Sequence, residues 1–333
     1  MGKDMKFRTT VECGMPGLAI SPGHQVTLLG SCFADHVGRR MSASGLDVHV
    51  NPFGVLYNPL SISTMCMSLT LEGEFPGDCF FESGGMWHSW LNDSSFSATG
   101  REACRARLEA ARRAEKARLQ TLDFLFLTLG TNHYYALKEG GRAVGNCHKQ
   151  PDCLFVERQM DVDEAMAALG RALEALWGVN PALQVVFTVS PYRYAKYGFH
   201  GSQLGKAVLL LAVEGLCRRF SGRCHYFPAY EIVLDELRDY RFYADDMLHP
   251  SDLAVAYVWE RFSDSCLAPE TRAFMSEWEA VGKALAHRPL HPESEAYRNF
   301  LRQTMLKLQR LTEKYPKLAS TPEYERLESL LKD

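Results

Sequence analysis

A chain of 333 residues with net charge −3, 46% hydrophobic and 23% charged residues has the make-up of a globular protein, large enough for one extended domain or two ordinary ones. That balance excludes disorder, a fibrous repeat and any special attraction to nucleic acid or anionic lipid. Ten cysteines without C-x-x-C pairing read as reduced, mostly buried thiols.

The opening MGKDMKFRTTVECGMPG has no apolar run of signal-peptide length, and no later segment nears the roughly 18 apolar residues of a membrane span. A cytoplasmic location is expected. Apolar segments suited to buried parallel strands recur at VTLLG, DVHVN, DFLFLTLG and QVVFTVSP, each leading into helix-like patterning or a glycine-rich connection. The alternation predicts an α/β fold, a parallel sheet with helices on both faces.

Between Asp47 and Asp123 the pattern loosens into NPFGVLYNPLSI and the aromatic CFFESGGMWHSWLNDSSFS, which reads as an elaborated loop near the site. REACRARLEAARRAEKARLQ is a charged helix whose basic residues are interleaved with glutamate, a solvated face rather than a nucleic-acid patch. YYALKEGGRAVGN predicts a hairpin turning at Gly140 and Gly141. Beyond Cys266 the patterning is helical, in PETRAFMSEWEAVGKALAH, SEAYRNFLRQTMLKLQRLTEKY and PEYERLESLL. The expected division is a domain over 1–265 and a C-terminal helical extension over 266–333, packed beside it or serving as a contact between copies of the chain.

Four stretches could carry chemistry. In Val26–Met41, VTLLGSCFADHVGRRM, Gly30 permits a tight bend between strand and helix, and Ser31 or Cys32 follows it. A thiol at a helix N-terminus is more readily ionised and a better nucleophile; alternatively Ser31 caps the helix and Cys32 packs. In YADDMLHP, Asp246 precedes His249 by three residues, a spacing that lets a carboxylate hold one imidazole nitrogen and leave the other as a base; a capping or solvated pair is the plainer reading. Gly130 and Asn132 follow the strongest apolar strand and could meet an oxyanion with an N–H and a side-chain amide. Gly54 in NPFGVLYNP is a further backbone donor, though each could equally be an ordinary turn residue.

For substrate binding, His148 and Lys149 in GNCHKQP could hold an anionic group, against a structural hairpin. Arg193 in SPYRYAK could face the cleft, and Trp87, His88 and Trp90 could line a sugar or acyl pocket. Cys147, His148 and Cys153 lack a second ligand pair, so no zinc or other metal is expected, and no motif asks for a cofactor.

The order of these stretches is similar to that of the SGNH (GDSL-like) hydrolases. More closely, the chain resembles the GSCFA family, whose name is the run Gly30-Ser31-Cys32-Phe33-Ala34. The likeness continues through VNPFGVLYNPLSI, NCHK, TVSPYRY, SQLGKAVLL and YFPAYEIVLDELRDYRFYADDMLHP, and spans Lys6 to Phe262. It implies a flavodoxin-like three-layer fold, with His249 as base, Asp246 as its orienting acid, and Gly54 and Asn132 as oxyanion donors. The family usually reads Gly-Thr-Ala-Trp where this chain has Gly130-Thr131-Asn132-His133. A gapless overlay on the superfamily's Gly-Asp-Ser puts Cys32 in the nucleophile's place, with Ser31 the alternative.

The expected activity is that of an esterase or acyltransferase on an acylated small molecule or saccharide, with no nucleic-acid or membrane partner and the C-terminal helices available for homo-oligomer contacts. The rivals are an SGNH-like scaffold without catalysis that keeps a ligand cleft, and an interaction protein that recruits a partner through those helices.

Overall fold

The computed structural model describes residues 8–15, 18–73, 75, 77–287, 289–316, 318 and 321–332. Residues 1–7, on which the reading of the chain's start partly rests, lie outside them. Five strands, β1 (Gln25–Gly30), β2 (Asp47–Val50), β5 (Phe124–Leu129), β9 (Gln184–Val189) and β10 (Cys224–Tyr226), form one parallel sheet in the order β10-β9-β5-β1-β2. Numbered by rank within this sheet, the order is 2-1-3-4-5 read from the β2 edge, the flavodoxin-like winding.

Side chains on a strand alternate between faces, and here the alternation sorts the core in two. Leu125, Leu127, Leu129, Val185, Phe187 and Val189 face one way; Val26, Leu28, Phe124, Phe126 and Val186 face the other. Helices α2 (Pro59–Ser68), α3 (Arg101–Leu119), α4 (Val162–Val179) and α5 (Gly198–Arg219) cover the first face. The second is covered by α1 (Cys32–Ala43), by α6 (Ala229–Glu231) running into wider π turns at Ile232–Leu237, and by α7 (Asp252–Cys266), α8 (Pro269–Ala286), α9 (Glu295–Lys314) and α10 (Pro322–Lys332). The three-layer α/β expectation holds, and the helices after Cys266 share a core with α1. No helix among the described residues is long and apolar enough to cross a membrane.

The stretch read as an elaborated loop is more regular than expected. Asn58 caps α2, its side chain accepting the Ser61 N–H at 2.9 Å, and Pro59 opens the helix. The aromatic stretch folds into an antiparallel hairpin, β3 (Phe80–Ser83) and β4 (Met86–Ser89), closed by Gly84 and Gly85. The hairpin predicted at Gly140 and Gly141 forms from β6 (His133–Leu137) and β7 (Ala143–Val144), with β8 (Phe155–Gln159) on the far side of β6. All ten cysteines are unpaired thiols.

Candidate active site

In a sheet of this winding, the crevice lies past the carboxyl ends of the strands where the order reverses, between β1 and β5. The chain bends there at Gly30, whose φ of +143° favours glycine. A Cβ on this residue would stand 2.2 Å from the Thr128 carbonyl oxygen of β5. Ser31 N–H donates to that same oxygen at 3.2 Å, so the turn is pinned to the neighbouring strand.

Asn51, just past β2, completes the support. It sits in the left-handed region at φ 43°, which asparagine tolerates. Its Oδ1 accepts the Gly30 N–H at 2.8 Å, its Nδ2 donates to Asp35 in the first turn of α1 at 2.7 Å, and its own N–H donates to Leu28 O at 2.8 Å. Three backbone or side-chain partners thus hold the bend and the start of α1 together.

Beside the bend lies a cavity of about 220 Å³. Ser31, Cys32 and His36 line it from α1 and its approach, Tyr192 and Tyr194 from the loop after β9, and His249 from the loop before α7. Ser31 is 3% exposed, makes no cap, and its Oγ has no hydrogen-bond partner among the described residues. Cys32 is partly exposed, with Sγ 3.9 Å from the Tyr57 hydroxyl. Burial, and then the adjacent thiol, push the Tyr57 hydroxyl above its ordinary value, so it keeps its proton.

His249 Nδ1 lies 2.5 Å from Asp246 Oδ2, and Asp246 Oδ1 accepts the backbone N–H groups of Leu248 and His249, each at 2.9 Å. The His249 N–H, then its ring, then the Leu248 N–H hold the Asp246 carboxyl down to about 2. With Nδ1 donating to a carboxylate, the neutral ring has its lone pair on Nε2. The ring leans on Tyr192 with centroids 4.3 Å apart. Backbone bonds from Arg193 N–H to Leu248 O at 3.1 Å and from Ala244 N–H to His249 O at 2.8 Å fix the loop.

Four predicted residues, Ser31, Cys32, Asp246 and His249, therefore come together: three line the cavity or its wall and Asp246 orients the ring. The predicted oxyanion donors do not join them. Gly54 N–H donates to Asn51 O at 2.8 Å, and the residue packs where a Cβ would strike the Asp93 carboxylate at 2.6 Å. Gly130 N–H donates to Tyr57 O at 2.7 Å. Asn132 is buried off the cavity; its Nδ2 donates to Met160 O at 2.8 Å, and its Oδ1 faces Gly205 of α5.

The aromatic and basic candidates also lie elsewhere. His148 joins the β4 strand end to the loop after β7 through Ser89 O at 2.8 Å and Ser94 Oγ at 3.2 Å, and burial lowers its pKa. Lys149 is an exposed turn residue beside it. His88 bonds Ser97 Oγ at 2.7 Å, Trp87 lies under Arg101, and Trp90 stacks on Phe81. Arg193, between Tyr192 and Tyr194 in the loop after β9, is not among the residues that line the cavity; its guanidinium lies over the Phe199 ring, 5.8 Å from the centroid.

Sequence reasoning missed Asn51, Tyr57 and Lys206, although all three fall inside the motifs VNPFGVLYNPLSI and SQLGKAVLL. Lys206 is 1% exposed on α5; its Nζ donates to Gly130 O and Ser190 O, both at 2.6 Å, and so ties the ends of β5 and β9.

The family model of GSCFA matches residues 25–262, and that of the C-terminal domain of GSCFA domain proteins matches 278–333. No curated protein matches the sequence. Among solved structures, the chain is similar to an acetyl xylan esterase from the rumen bacterium Butyrivibrio proteoclasticus, at 11% identity and TM-score 0.38 over 74% of this chain and 64% of that one. It is similar also to a carbohydrate esterase family 3 protein from Talaromyces cellulolyticus, at 13% identity and TM-score 0.32 over 76% of this chain and 99% of that one.

Proposed function

The chain belongs to the GSCFA family, and within it we propose an esterase or acyltransferase that works through a covalent acyl–cysteine at Cys32. The observation that carries this reading is the convergence of a hydroxyl–thiol pair at a helix start with a carboxylate-held histidine on one cavity.

His249 Nε2 takes the thiol proton as Sγ attacks the carbonyl carbon of an ester. The carbonyl π pair moves to oxygen, which the unpaired first-turn N–H groups of α1, at Cys32 and Phe33, receive. Collapse breaks the bond to the alkoxy oxygen; the imidazolium returns its proton to the departing alcohol, and a thioester remains. Water or a second alcohol, losing its proton to His249, then attacks the thioester carbon and restores the thiol. Gly54, Gly130 and Asn132 take no part: the N–H groups of the two glycines are engaged, and Asn132 is buried off the cavity with its amide on Met160 O.

Ser31 is a second nucleophile candidate on one observation, its buried Oγ without a partner on the cavity wall. Intact-mass labelling with acyl-ester and acyl-thioester probes separates the two. On wild type, Cys32→Ala, Ser31→Ala and His249→Ala, the expected result is an acyl adduct lost with Cys32→Ala, slowed with His249→Ala and kept with Ser31→Ala. Loss with Ser31→Ala alone transfers the role to Ser31; no adduct on wild type between pH 6 and 9 refutes catalysis and leaves a ligand-binding scaffold.

A further inference from the structure

The wall of the cavity beside Cys32 has a buried part and an exposed part. Ser31, Phe33, Ser190, Pro191 and Val255 are buried, whereas His36 and His249 are exposed. A run of half-buried aromatic rings continues from His249: Tyr192 leans on it, and Tyr194 meets Tyr192 edge to face with centroids 4.7 Å apart.

This wall offers no counter-charge to a bound ion. Among the described residues that line it there is no Asp, Glu, Lys or Arg. Burial raises the pKa of Tyr57, Tyr192 and Tyr194, so the phenols stay neutral. Charges beyond the wall are committed: Asp246 to the His249 ring, and Lys206, whose Nζ lies 5.2 Å from the Tyr194 ring centroid, to the carbonyls of Gly130 and Ser190. A charged group drawn in here loses water and gains no partner, while an apolar group is stabilised by leaving water.

Size narrows the class further. A cavity of about 150 Å³ holds one benzene ring and drug-sized ligands take about 300–1,000 Å³, so about 220 Å³ suits one ring or a short chain. We propose that the cavity is the acyl pocket and selects uncharged, apolar acyl groups up to about the size of phenylacetyl. The leaving alcohol or thiol stays at the exposed part, beside His249. The inference rests on the reading of Cys32 as the acylated residue and names the substrate class of that site. Val255, a buried aliphatic side chain in the first turn of α7, is where the volume can be altered without touching a reacting group.

N-Acetylcysteamine thioesters carrying acetyl, pentanoyl, phenylacetyl or succinyl groups test it on the full chain. Each Cys32 acylation rate is divided by the rate of the same thioester with free N-acetylcysteine. On wild type, pentanoyl and phenylacetyl are expected to exceed acetyl at least fivefold, and the anionic succinyl to fall at least tenfold below pentanoyl. In Val255→Phe, whose added ring fills the cavity, the phenylacetyl advantage falls at least fivefold; in Val255→Ala it stays or rises. Near-UV circular dichroism checks native packing, and Val255→Leu takes the place of Val255→Phe if the ring unfolds the chain. A second readout needs no acyl chemistry. The rate ratio of N-benzyl-iodoacetamide to iodoacetamide at Cys32, mapped by peptide mass, falls at least threefold in Val255→Phe and is unchanged in Arg219→Gln, a remote surface control. A succinyl rate equal to that of pentanoyl, or a benzyl ratio identical in wild type and every Val255 variant, overturns the pocket even if all thioesters acylate Cys32. A benzyl ratio that responds to Val255 while no thioester reacts upholds an apolar pocket beside Cys32 and refutes the proposed function instead.

Discussion

Replacing Lys206 with methionine keeps the length of the side chain and removes its ammonium. Two carbonyl oxygens, of Gly130 and Ser190, then lose the donor that reaches each at 2.6 Å. An unsatisfied buried acceptor costs about 1–3 kcal/mol, so the pair costs about 2–6 kcal/mol. Against this stands relief from burying a charge, an effect that can make an apolar replacement neutral or stabilising. Because the ammonium meets two short acceptors and two aromatic faces, Tyr194 at 5.2 Å and Tyr230 at 5.9 Å, the lost contacts are expected to win, with a net loss of about 2–4 kcal/mol. Urea unfolding at pH 7 measures it. The pH dependence gives the sign a second check: burial and Arg193 lower the folded-state pKa of Lys206, so the unfolded chain binds this proton more tightly. Wild-type stability therefore rises with pH through the window that ends near the ordinary value of 10.5 and falls as pH drops through it. The gap to Lys206→Met widens toward the alkaline end. A variant as stable as wild type, with no pH-dependent gap, refutes the reasoning and shows that the desolvated charge outweighed its contacts.

Gly30→Ala places a Cβ 2.2 Å from the Thr128 carbonyl at a φ of +143°, and the expected loss of about 3 kcal/mol or more shows in thermal unfolding; a melting temperature within 2 °C of wild type contradicts it. Asn51→Ala leaves Gly30 N–H and Asp35 without their partner and costs about 1–3 kcal/mol. Asn51→Gly recovers only the strain of the left-handed backbone, so both variants slow Cys32 acylation in a mass-labelling time course. Asp246→Asn lowers the acylation rate by about 10²–10⁴ through the ring orientation it forfeits. Since the Asp246 carboxyl is held down to about 2, its stabilising effect is present above its ordinary value of 3.8 and lost only as pH falls toward 2. An acid limb near pH 4 in wild type that vanishes in Asp246→Asn goes against this.

The strands VTLLG, DFLFLTLG and QVVFTVSP were legible because strands buried on both faces are almost wholly apolar, and DVHVN, an edge strand, because its valines alternate with polar residues. The edge strand Cys224–Tyr226, three residues long with a histidine at its centre, carries no such mark. Residues 51–100 read as a loop because their signals are short: an Asn58-Pro59 helix start and a Gly84-Gly85 turn between alternating segments. In the site, Ser31, Cys32, Asp246 and His249 were legible from type and spacing, since a D-x-x-H loop closes on itself locally. The donors were not. Whether the N–H of Gly54 or the amide of Asn132 is free depends on distant acceptors, Asn51 O and Met160 O, which spacing does not reveal. Lys206, in the middle of SQLGKAVLL, has the look of a solvated helix lysine until α5 is packed against the ends of β5 and β9.

The two faces of the sheet are completed at different moments of synthesis. Among the described residues, the face of Leu125, Leu127 and Phe187 takes its cover from residues no later than Leu234, whereas the face of Val26, Leu28, Phe126 and Val186 waits for Phe262, Phe274, Trp278 and Leu308. At about 5–20 residues per second, the stretch of roughly 80 residues from Asp252 onward takes about 4–16 s to make. Through that interval a growing chain exposes apolar surface beside α1 to chaperones and to its neighbours. The bend that carries Ser31 and Cys32 is thus translated long before Phe262, Phe274, Trp278 and Leu308, which complete the core beside it.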